Sequence, residues 1–444
     1  ENKKRKIPQG IGQYSGRKNR LTGIVDIATM QSLSRTGEVK EFVKNYGMVI
    51  VDECHHVSAF NLEQILKKVN AKFVYGLTAT PIRKDGHDPI IFMQCGPLRY
   101  RVNPIKQADM RPFDHYIIPR FTSFRVDTSE NSTINDIYSK IIKSNMRNKL
   151  ITEDGLESLK RGRNSIVLTE RTAHADILSE ILKSHTKNVI ILNGSLKSKE
   201  RKDELEKIRA IPKNESFVIV ATGKFVGEGF DEPRLDTLFL AMPISWKGTL
   251  QQYSGRLHRL YENKIEVQVY DYVDIHLEML TKMYQKRLKG YADIGYKVKG
   301  NLEEQQKIDT IYNGKNYWNT YIQDLIFSKK EIFIASPNIN ETSINKLGNE
   351  LEKLANSGVK ITIVTNTIER IKETIKNLCF KLQSQGINII FKEKTYNKFT
   401  VIDNRVVWYG GISTLGFTNL EESIMRIEDY RISKELLRDF SNKT

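Results

Sequence analysis

Two carboxylates stand directly after a strand-length apolar run in the first part of this chain. Asp52 and Glu53 follow the run Met48–Val51 without an intervening residue. Open parallel sheets bind ligands at the carboxyl ends of their strands, so both side chains are placed to act on a ligand. In a nucleoside triphosphatase Asp52 would hold Mg²⁺ through water, and Glu53 would polarise the attacking water as general base. An ordinary surface turn is the alternative interpretation of this segment.

Two threonines follow the next predicted strand, in the segment GLTATPIR that begins at Gly76. The hydroxyls of Thr78 and Thr80 would come from a strand end beside that of Asp52, where they can hydrogen-bond its carboxylate. We expect these contacts to report the state of a bound nucleotide to a second domain. A plain strand-to-loop turn is the weaker alternative, because the acidic pair precedes it.

Two arginines three residues apart occur in the later segment QQYSGRLHR. This spacing predicts that Arg256 and Arg259 share one face of a helix, with Gln252 a turn earlier. Guanidinium groups presented in this way suit a γ-phosphate whose charge spreads in the transition state. A solvated helix face is the alternative, since most arginine pairs at this spacing have no such role.

Another polar group ends a predicted strand between these two regions. Thr222 is followed by Gly223, and glycines here allow backbone amides to approach a nucleic-acid phosphate closely. Asp231, farther along the same segment, can accept a hydrogen bond from a ribose hydroxyl. We expect Thr222 to contact nucleic acid and Asp231 to lie near the nucleotide.

These groups lie on a repeated alternation of apolar runs and amphipathic stretches, which predicts α/β domains with parallel sheets. A helix is predicted over Thr172–Lys183, with Thr172 as N-cap, and another around Trp318–Phe327. Residues 113–130 contain Pro119 and have no helical period, so they are predicted to form a linker. The predicted strands are Ile24–Ala28, Met48–Val51, Phe73–Leu77, Ser165–Thr169, Val189–Leu192, Phe217–Ala221, Thr237–Ala241, Val267–Val273, Glu331–Ala335, Lys360–Val364, Asn388–Phe391 and Thr400–Ile402.

The composition favours a cytoplasmic protein with a polyanionic partner. The net charge is +17 over 444 residues, and clustered Lys and Arg gain free energy by releasing counterions from phosphates. A Lys-rich proteome from an AT-rich genome is the alternative explanation of this charge. The three cysteines are far apart, so neither a disulfide framework nor a zinc site is expected. No apolar run approaches the roughly 20 residues of a membrane span, so no membrane contact is expected.

The acidic pair, the threonine segment, the Thr222 segment and the arginine segment resemble, in this order, motifs II, III, V and VI of superfamily 2 helicases. The resemblance covers about residues 10–300. It implies ATP and Mg²⁺ as cofactors and a DExH motif in which Asp52 and Glu53 act with Gln252, Arg256 and Arg259 as the catalytic set. The nucleotide-binding and coupling residues implied by the same motifs are His55, Thr78, Thr80, Gly229 and Asp231.

Narrower matches indicate a branch of that superfamily. The segment GLTATPIRKDG resembles the nucleotide-excision-repair and type III restriction motors. VDIATMQSL, SIVLTERTAHADIL and KRLKGYADIGY resemble the helicase portion of bacterial primase-helicases from TOTE conflict systems and their stand-alone relatives. This likeness implies DNA, single-stranded or duplex, as the partner, with RNA as the alternative, and an upstream primase domain or partner protein. The residues implied to line the nucleic-acid track are Thr29, Thr169, Arg171 and Thr222.

The chain departs from the family pattern in its phosphate loop. No GxxxxGK[ST] occurs in the sequence, and the family places this loop upstream of IATMQSL. We therefore expect the first motor domain to be truncated at its N-terminus. In isolation the chain is expected to bind ATP poorly and to hydrolyse it negligibly.

The C-terminal part resembles phospholipase-D-like phosphodiesterases over about residues 313–444. Their HxKxxxxD signature corresponds to Tyr396, Lys398 and Asp403, and the following GSxN positions fall in the segment GGIS. The phosphate-attacking histidine is replaced by Tyr396, and the serine and asparagine are replaced as well. This predicts a catalytically degenerate domain kept for binding DNA or a partner. A structural ion pair between Lys398 and Asp403 is the alternative to residual phosphate binding.

The predicted architecture is α/β, with two RecA-like parallel-sheet motor domains followed by a phospholipase-D-like α/β domain. The expected function is that of an ATP-dependent helicase or translocase that hydrolyses ATP between two motor lobes. Two alternatives stay open: a phosphodiesterase with a helicase delivery module, and a non-catalytic nucleic-acid scaffold. The expected boundaries are a first motor domain over 1–112, a linker over 113–130, a second motor domain with a basic helical tail over 131–300, and the phospholipase-D-like domain over 301–444.

Overall fold

A computed structural model describes most of the chain and divides it into two compact units. The first unit is Glu1–Val102 and the second is Asn103–Thr444. In the described part of the chain, no helix is both long and apolar enough to cross a bilayer. The described residues are 10–16, 18–35, 38–54, 59–78, 88–126, 133–223, 231–244, 247–299, 308–309, 311–367, 373–416 and 419–441.

The first unit consists of short strands with small helices. Strands β1 and β3 are parallel, β2 pairs antiparallel with β1, and β6 pairs parallel with β7. The strands are β1 Ile11–Ser15, β2 Lys18–Arg20, β3 Val25–Ala28, β4 Ser34–Arg35, β5 Glu38–Val39, β6 Met48–Val51 and β7 Phe73–Gly76. The helices are α1 Met30–Leu33, α2 Ala59–Lys68 and α3 Asp88–Cys95, with a 3₁₀ turn at Glu41–Asn45.

One face of the β6–β7 pair carries apolar side chains that are exposed within the first unit. Met48 lies opposite Phe73 and Ile50 lies opposite Tyr75, because the two strands are in register. These four side chains are between 45% and 58% exposed. Parallel strands are normally covered on both faces, so this face has the character of one that packs against another layer.

The second unit contains two sheets. The larger has eight strands in the order β10-β11-β9-β12-β13-β8-β14-β15, all parallel except β15. Its strands are β8 Asp114–Phe121, β9 Ser165–Thr169, β10 Val189–Leu192, β11 Val218–Thr222, β12 Thr237–Leu240, β13 Glu266–Val273, β14 Lys297–Lys299 and β15 Ile308–Asp309. The helices that accompany it are α4 Pro104–Asp109, α5 Ile134–Ile142, α6 Asn145–Lys160, α7 Thr172–Lys183, α8 Ser198–Ala210, α9 Lys247–Gly255 and α10 Glu278–Asp293.

The segment predicted to be a linker contains one of the inner strands of this sheet. Strand β8 pairs along its whole length with β13, and it also pairs with β14 at Tyr116 and Ile117. Pro119 lies beyond the end of β14, so its missing backbone N–H removes no hydrogen bond on that side. Pro119 is therefore tolerated in this inner strand because β14 ends before it. The linker prediction was wrong for Asp114–Phe121.

Helix α7 spans the predicted residues, but its N-cap differs. Arg171 is the N-cap, with the extended backbone angles φ −129° and ψ 128°, and Thr172 is the first helical residue. The apolar face of α7 buries Leu178 and Leu182 against the sheet. The hydroxyl of Thr172 is thus not the group that caps the helix.

The smaller sheet has seven strands in the order β16-β22-β21-β20-β17-β18-β19. The strands β17, β18 and β19 are parallel to one another, and the other pairings are antiparallel. The strands are β16 Ile311–Asn313, β17 Glu331–Ala335, β18 Lys360–Asn366, β19 Asn388–Lys392, β20 Phe399–Ile402, β21 Val406–Gly410 and β22 Ser423–Glu428. The helices are α11 Trp318–Ile326, α12 Glu341–Asn356, α13 Glu373–Ser384 and α14 Tyr430–Ser441.

The two sheets of the second unit share one hydrophobic core. Helix α10, which follows the last long strand of the larger sheet, buries Tyr284 and Leu288 in the same cluster as Val407 and Met425 of the smaller sheet. The ring of Phe121 packs edge-on against that of Tyr409 with centroids 5.1 Å apart. The C-terminal residues are therefore packed onto the larger sheet rather than tethered to it.

Candidate nucleotide and nucleic-acid site

In the first unit, the predicted acidic pair lies at the carboxyl end of β6, beside the threonine segment that follows β7. The amide of Leu77 donates to the carbonyl of Val51, and the amide of Cys54 donates to the carbonyl of Leu77, which draws Asp52 and Glu53 beside Thr78. The Glu53 amide also donates to the carboxylate of Asp52 at 2.9 Å. The structure thus brings three predicted site residues to one edge. His55 and Thr80 lie outside the described residues.

Two backbone features shape this edge. Glu53 has a φ of 47°, a left-handed conformation that is uncommon for residues other than glycine and is often found at functional sites. A Cβ on Gly76 would lie 3.1 Å from the sulfur of Cys54 and from that of Cys95. The close approach of β7 to these two cysteines therefore favours glycine at position 76, just before Thr78.

Thr29, predicted to contact nucleic acid, is exposed at the start of α1. Its backbone amide donates to the carbonyl of Tyr14, and its hydroxyl lies 2.7 Å from that of Ser32. The preceding loop is held by Asp26, whose carboxylate accepts hydrogen bonds from the amides of Thr22 and Gly23, each at 2.8 Å. The segment VDIATMQSL thus forms β3 and α1 and presents Thr29 between them.

In the second unit, two predicted track residues are direct neighbours. Thr169 ends β9 and Thr222 ends β11, and the two are paired in register on adjacent parallel strands. Their side chains are largely buried, with 2% and 7% of their surface exposed. Gly223 and Glu170 follow them at the same edge of the sheet.

The hydroxyl of Thr169 is engaged by a buried histidine. His174 is fully buried, and burial first, then the nearby charge of Arg147, lowers its pKa to about 3, so it is neutral. The Asn148 side-chain amide donates to the carbonyl of Ile142, which leaves its oxygen 2.9 Å from His174 Nε2. Nε2 therefore carries the proton, and Nδ1 accepts from Thr169 at 3.0 Å. The Thr169 hydroxyl has no proton left for a phosphate oxygen.

Arg171 is the exposed cation at this strand end. As N-cap of α7 it lies beside α5, where its guanidinium donates to the side-chain oxygen of Asn135 and lies 6.0 Å from the ring of Tyr138. Tyr138 in turn donates to the carbonyl of Pro243 at 2.7 Å. These contacts orient the guanidinium next to the paired threonines.

The arginine segment differs from the predicted continuous helix. Helix α9 ends at Gly255, Arg256 begins a 3₁₀ turn, and Arg259 has an extended backbone with ψ 134°. The two arginines are therefore not on one α-helical face, because the helix ends before them. Gln252 is half-buried within α9. Arg259 pairs with the carboxylate of Asp231 at 3.0 Å, and both side chains are more than half exposed.

A buried aromatic cluster supports the 3₁₀ turn from below. His258 lies 3.0 Å from the hydroxyl of Tyr296, and its ring packs edge-on against His115 with centroids 4.9 Å apart. Burial first, then nearby charges, lowers the pKa of His115 to about 4 and that of His258 to about 2. No sequence motif pointed to His115, and the segment KRLKGYADIGY ends at Tyr296 without indicating that this tyrosine contacts His258.

A half-buried lysine fixes the backbone on either side of the arginines. The ammonium group of Lys264 lies within 3.0 Å of the carbonyl oxygens of Pro233, Leu235, Leu257 and Arg259. It therefore joins the segment after Asp231 to the end of the arginine segment. Spacing could not reveal this role, because the partners are main-chain oxygens. Gly229 lies outside the described residues.

In the C-terminal sheet, the signature residues have structural partners. Asp403 accepts hydrogen bonds from the amides of Lys329, Lys330 and Glu331 at 2.8–2.9 Å, and from the hydroxyl of Ser328. It thereby closes the turn that leads into β17. Asp403 is thus committed to this turn rather than to an ion pair with the signature lysine.

The other two signature residues lie at the junction with the larger sheet. Lys398 donates to the carbonyl of Gly411 and lies 3.7 Å from Glu422. Tyr396 donates to the carbonyl of Ile275, which follows β13 of the larger sheet. A hydroxyl and an ammonium group used in this way hold the backbone together and are not arranged to attack a phosphodiester.

Three family models match consecutive parts of the chain. Residues 1–83 match "Type III restriction enzyme, res subunit", residues 145–261 match "Helicase conserved C-terminal domain", and residues 321–444 match "Cardiolipin synthase, PLD-like domain". These parts of the chain are therefore similar to helicase domains and to a phospholipase-D-like domain, in the order that the motifs indicated. The restriction-motor likeness of the first part is confirmed.

Curated relatives are viral helicases and related proteins. The chain is 24% identical over 332 residues to the "Putative ATP-dependent RNA helicase" of Acanthamoeba polyphaga mimivirus, an alignment that covers 69% of this chain and 58% of that protein. It is 25% identical over 237 residues to the transcript termination protein of Fowlpox virus, covering 50% of this chain and 49% of that protein. The chain thus spans about half the length of the curated relatives it matches.

Similar solved structures include a fragment of a type I restriction HsdR subunit from Vibrio vulnificus, with 19% identity and a TM-score of 0.47, over 66% of this chain and 55% of that one. S. cerevisiae Dbp5 bound to RNA and ADP BeF3 has 14% identity and a TM-score of 0.43, over 64% of this chain and 68% of that one.

Proposed function

We propose that this protein is an ATP-driven motor that moves on nucleic acid, with DNA as its substrate. The observation that carries the proposal is the placement of Asp52 and Glu53 beside Thr78 at the end of a parallel strand pair. A family match that contains these three residues and a helicase-family match over residues 145–261 support the same proposal.

The proposed chemistry is hydrolysis of ATP with Mg²⁺. Mg²⁺ commonly keeps several waters and binds through one or two carboxylates plus substrate phosphates, and the exposed carboxylate of Asp52 fits that requirement. Glu53 would orient and deprotonate the attacking water, while Arg256 and Arg259 would neutralise charge on the transferred phosphoryl group. We further propose that the phosphate-binding loop is supplied by sequence outside residues 1–444, since none of the segments in this chain has its spacing.

The proposed nucleic-acid contacts are Thr29 in the first unit and Thr222 and Arg171 in the second, with Thr169 fixing the strand end. Charge is unevenly distributed in a way that supports this assignment. Residues 1–300 carry 50 Lys and Arg against 35 Asp and Glu, whereas residues 301–444 carry 20 against 18. The helicase part is therefore where a polyanion is attracted. DNA as the strand, and a TOTE primase-helicase setting, rest on the motif resemblance.

ATP turnover with and without single-stranded DNA tests the proposal in the full-length protein. Wild-type turnover is expected to rise with DNA, whereas Glu53→Gln and Arg256→Ala each lower it by at least about a hundredfold while DNA binding changes little. Glu63→Gln, on the outer face of α2 in the same unit, serves as the matched charge control. Unchanged turnover in both site variants would contradict the assigned roles, and an RNA-only response would transfer the substrate to RNA.

A further inference from the structure

Three segments of the second unit meet at one point beside the paired threonines. Glu170 comes directly after Thr169, Gly223 comes directly after Thr222, and Tyr253 projects from α9 toward both. The Tyr253 hydroxyl donates to the Glu170 carboxylate at 2.9 Å. The strand edge proposed to hold nucleic acid is therefore joined by a side-chain hydrogen bond to the helix that precedes the arginines.

The packing at this point leaves no room for a side chain on Gly223. A Cβ there would lie 1.9 Å from the Tyr253 hydroxyl and 2.8 Å from the Glu170 carboxylate oxygen. Both neighbours would have to move together, since the two are hydrogen-bonded to each other. The backbone at Gly223 thus packs directly against the Tyr253–Glu170 hydrogen bond.

The charge of Glu170 conflicts with its position. It lies between Thr169 and Arg171 and is exposed, so its carboxylate would repel a phosphate bound at this edge. A residue there whose only task was to bind nucleic acid would be neutral or basic. The Tyr253 hydroxyl draws this carboxylate toward α9, and Tyr253 itself is only 6% exposed.

We infer that the Tyr253–Glu170 hydrogen bond is a positioning contact through which occupancy of the strand edge is transmitted to the arginine segment. A phosphate that arrives beside Arg171 repels Glu170, the carboxylate shifts, and Tyr253 follows it. Tyr253 lies three residues before Arg256, so a movement of α9 at this point alters where the 3₁₀ turn places the guanidinium groups. The inference rests on the proposed motor function.

Kinetic coupling in the full-length protein provides the first test. We compare wild type, Tyr253→Phe, Glu170→Gln and the control Tyr272→Phe, which removes a similar tyrosine-to-carboxylate hydrogen bond, to Asp154, elsewhere in the same unit. Tyr253→Phe is expected to lower the ratio of DNA-stimulated to unstimulated ATP turnover by about tenfold, the value of one charge-assisted hydrogen bond. Glu170→Gln keeps an acceptor for the Tyr253 hydroxyl but removes the charge that the phosphate repels, so it is also expected to lower the ratio. Tyr272→Phe is expected to leave the ratio unchanged.

Amide hydrogen exchange of α9 in the 444-residue chain tests the transmission without ATP turnover. Single-stranded DNA is expected to change the exchange of residues 250–255 in wild type and in Tyr272→Phe, and to leave it unchanged in Tyr253→Phe despite retained DNA binding. A DNA-induced change of the same size in Tyr253→Phe would overturn the inference, as would none in wild type. If wild type shows the expected exchange pattern but does not hydrolyse ATP, the proposed motor function is contradicted and the inferred contact is not.

Discussion

The side-chain amide of Gln285 donates a hydrogen bond to the carbonyl oxygen of Gly410, 3.1 Å away. Gln285 belongs to α10, in the basic tail of the helicase part, and Gly410 ends a strand of the phospholipase-D-like sheet. The neighbouring hydroxyl of Tyr284 points to the sulfur of Met425 at 3.2 Å. At this junction, α10 packs directly on β21 and β22 of the smaller sheet.

A side chain at position 410 is expected to destabilise this junction. A Cβ there would lie 2.5 Å from the carbonyl oxygen of Ser423 and 3.2 Å from Leu288. Gly410→Ala should lower the free energy of unfolding by about 1–3 kcal/mol through overpacking, measured by urea denaturation. The control Gly348→Ala, in the interior of α12 and 3.8 Å from Leu382, should be neutral or stabilising by up to about 1 kcal/mol. Equal effects of the two variants would contradict the tight junction.

Asp403 is expected to matter for stability rather than for catalysis. Burial acts to raise the pKa of its carboxyl, but the hydrogen bonds from the amides of Glu331, Lys329 and Lys330 outweigh this and hold the pKa below its ordinary value. Asp403→Asn should cost about 1–3 kcal/mol of unfolding free energy, because an amide cannot accept all of these bonds. The exposed Glu393→Gln is the charge control and should stay within about 0.5 kcal/mol. Thermal denaturation near neutral pH measures both.

Acid is expected to destabilise the second unit through its buried histidines. The folded-state pKa values of His115 and His174, about 4 and 3, lie below the unfolded value near 6.5, so the unfolded chain binds more protons below that pH. Stability is therefore full above pH 6.5 and falls on acidification toward the folded pKa, by about 2 kcal/mol per histidine between pH 6.5 and 5. Urea denaturation across this range should show a shallower pH slope for His174→Gln, and an unaltered slope would refute the assignment.

Arg171 is expected to bind phosphate rather than bases. Arg171→Ala should weaken single-stranded DNA binding similarly for all sequences and reduce the slope of log K against log salt by about 1. The exposed Arg161, paired with Glu157 on α6, supplies the control Arg161→Ala. Fluorescence anisotropy over a salt series measures both slopes. A change confined to one DNA sequence would point to base contacts instead.

Much of the fold follows from local pattern. The bounds of the strand Met48–Val51 and of the helix Thr172–Lys183 were predicted, because a short run of β-branched residues favours a strand and an apolar stripe favours a helix packed on a sheet. The N-cap of that helix is one residue earlier than predicted, at Arg171. Strand β8 was missed because a proline normally excludes an inner strand, and only the short length of β14 makes Pro119 acceptable. That information lies in the tertiary arrangement.

In the candidate site, too, some features could be predicted from the sequence and others depend on the tertiary arrangement. The acidic pair and the threonine after β7 share an edge because adjacent parallel strands end together, which spacing can predict. The helix was predicted to continue through Arg259, because the contacts of His258 with His115 in β8 and with Tyr296 just before β14 depend on the tertiary arrangement. The partners of Lys398 and Asp403 are main-chain groups, which no motif encodes.

The shared core also limits how the C-terminal part can be studied by genetics. A deletion that ends the chain near residue 300 would strip Phe399, Val407, Tyr409 and Met425 from the cluster that buries Tyr284 and Leu288. The exposed helix would then promote misfolding or aggregation of the remaining larger sheet. Loss of function after such a deletion would therefore reflect unfolding of the larger sheet. Point substitutions on the exposed surface of the smaller sheet and its helices test the role of the C-terminal part without this effect.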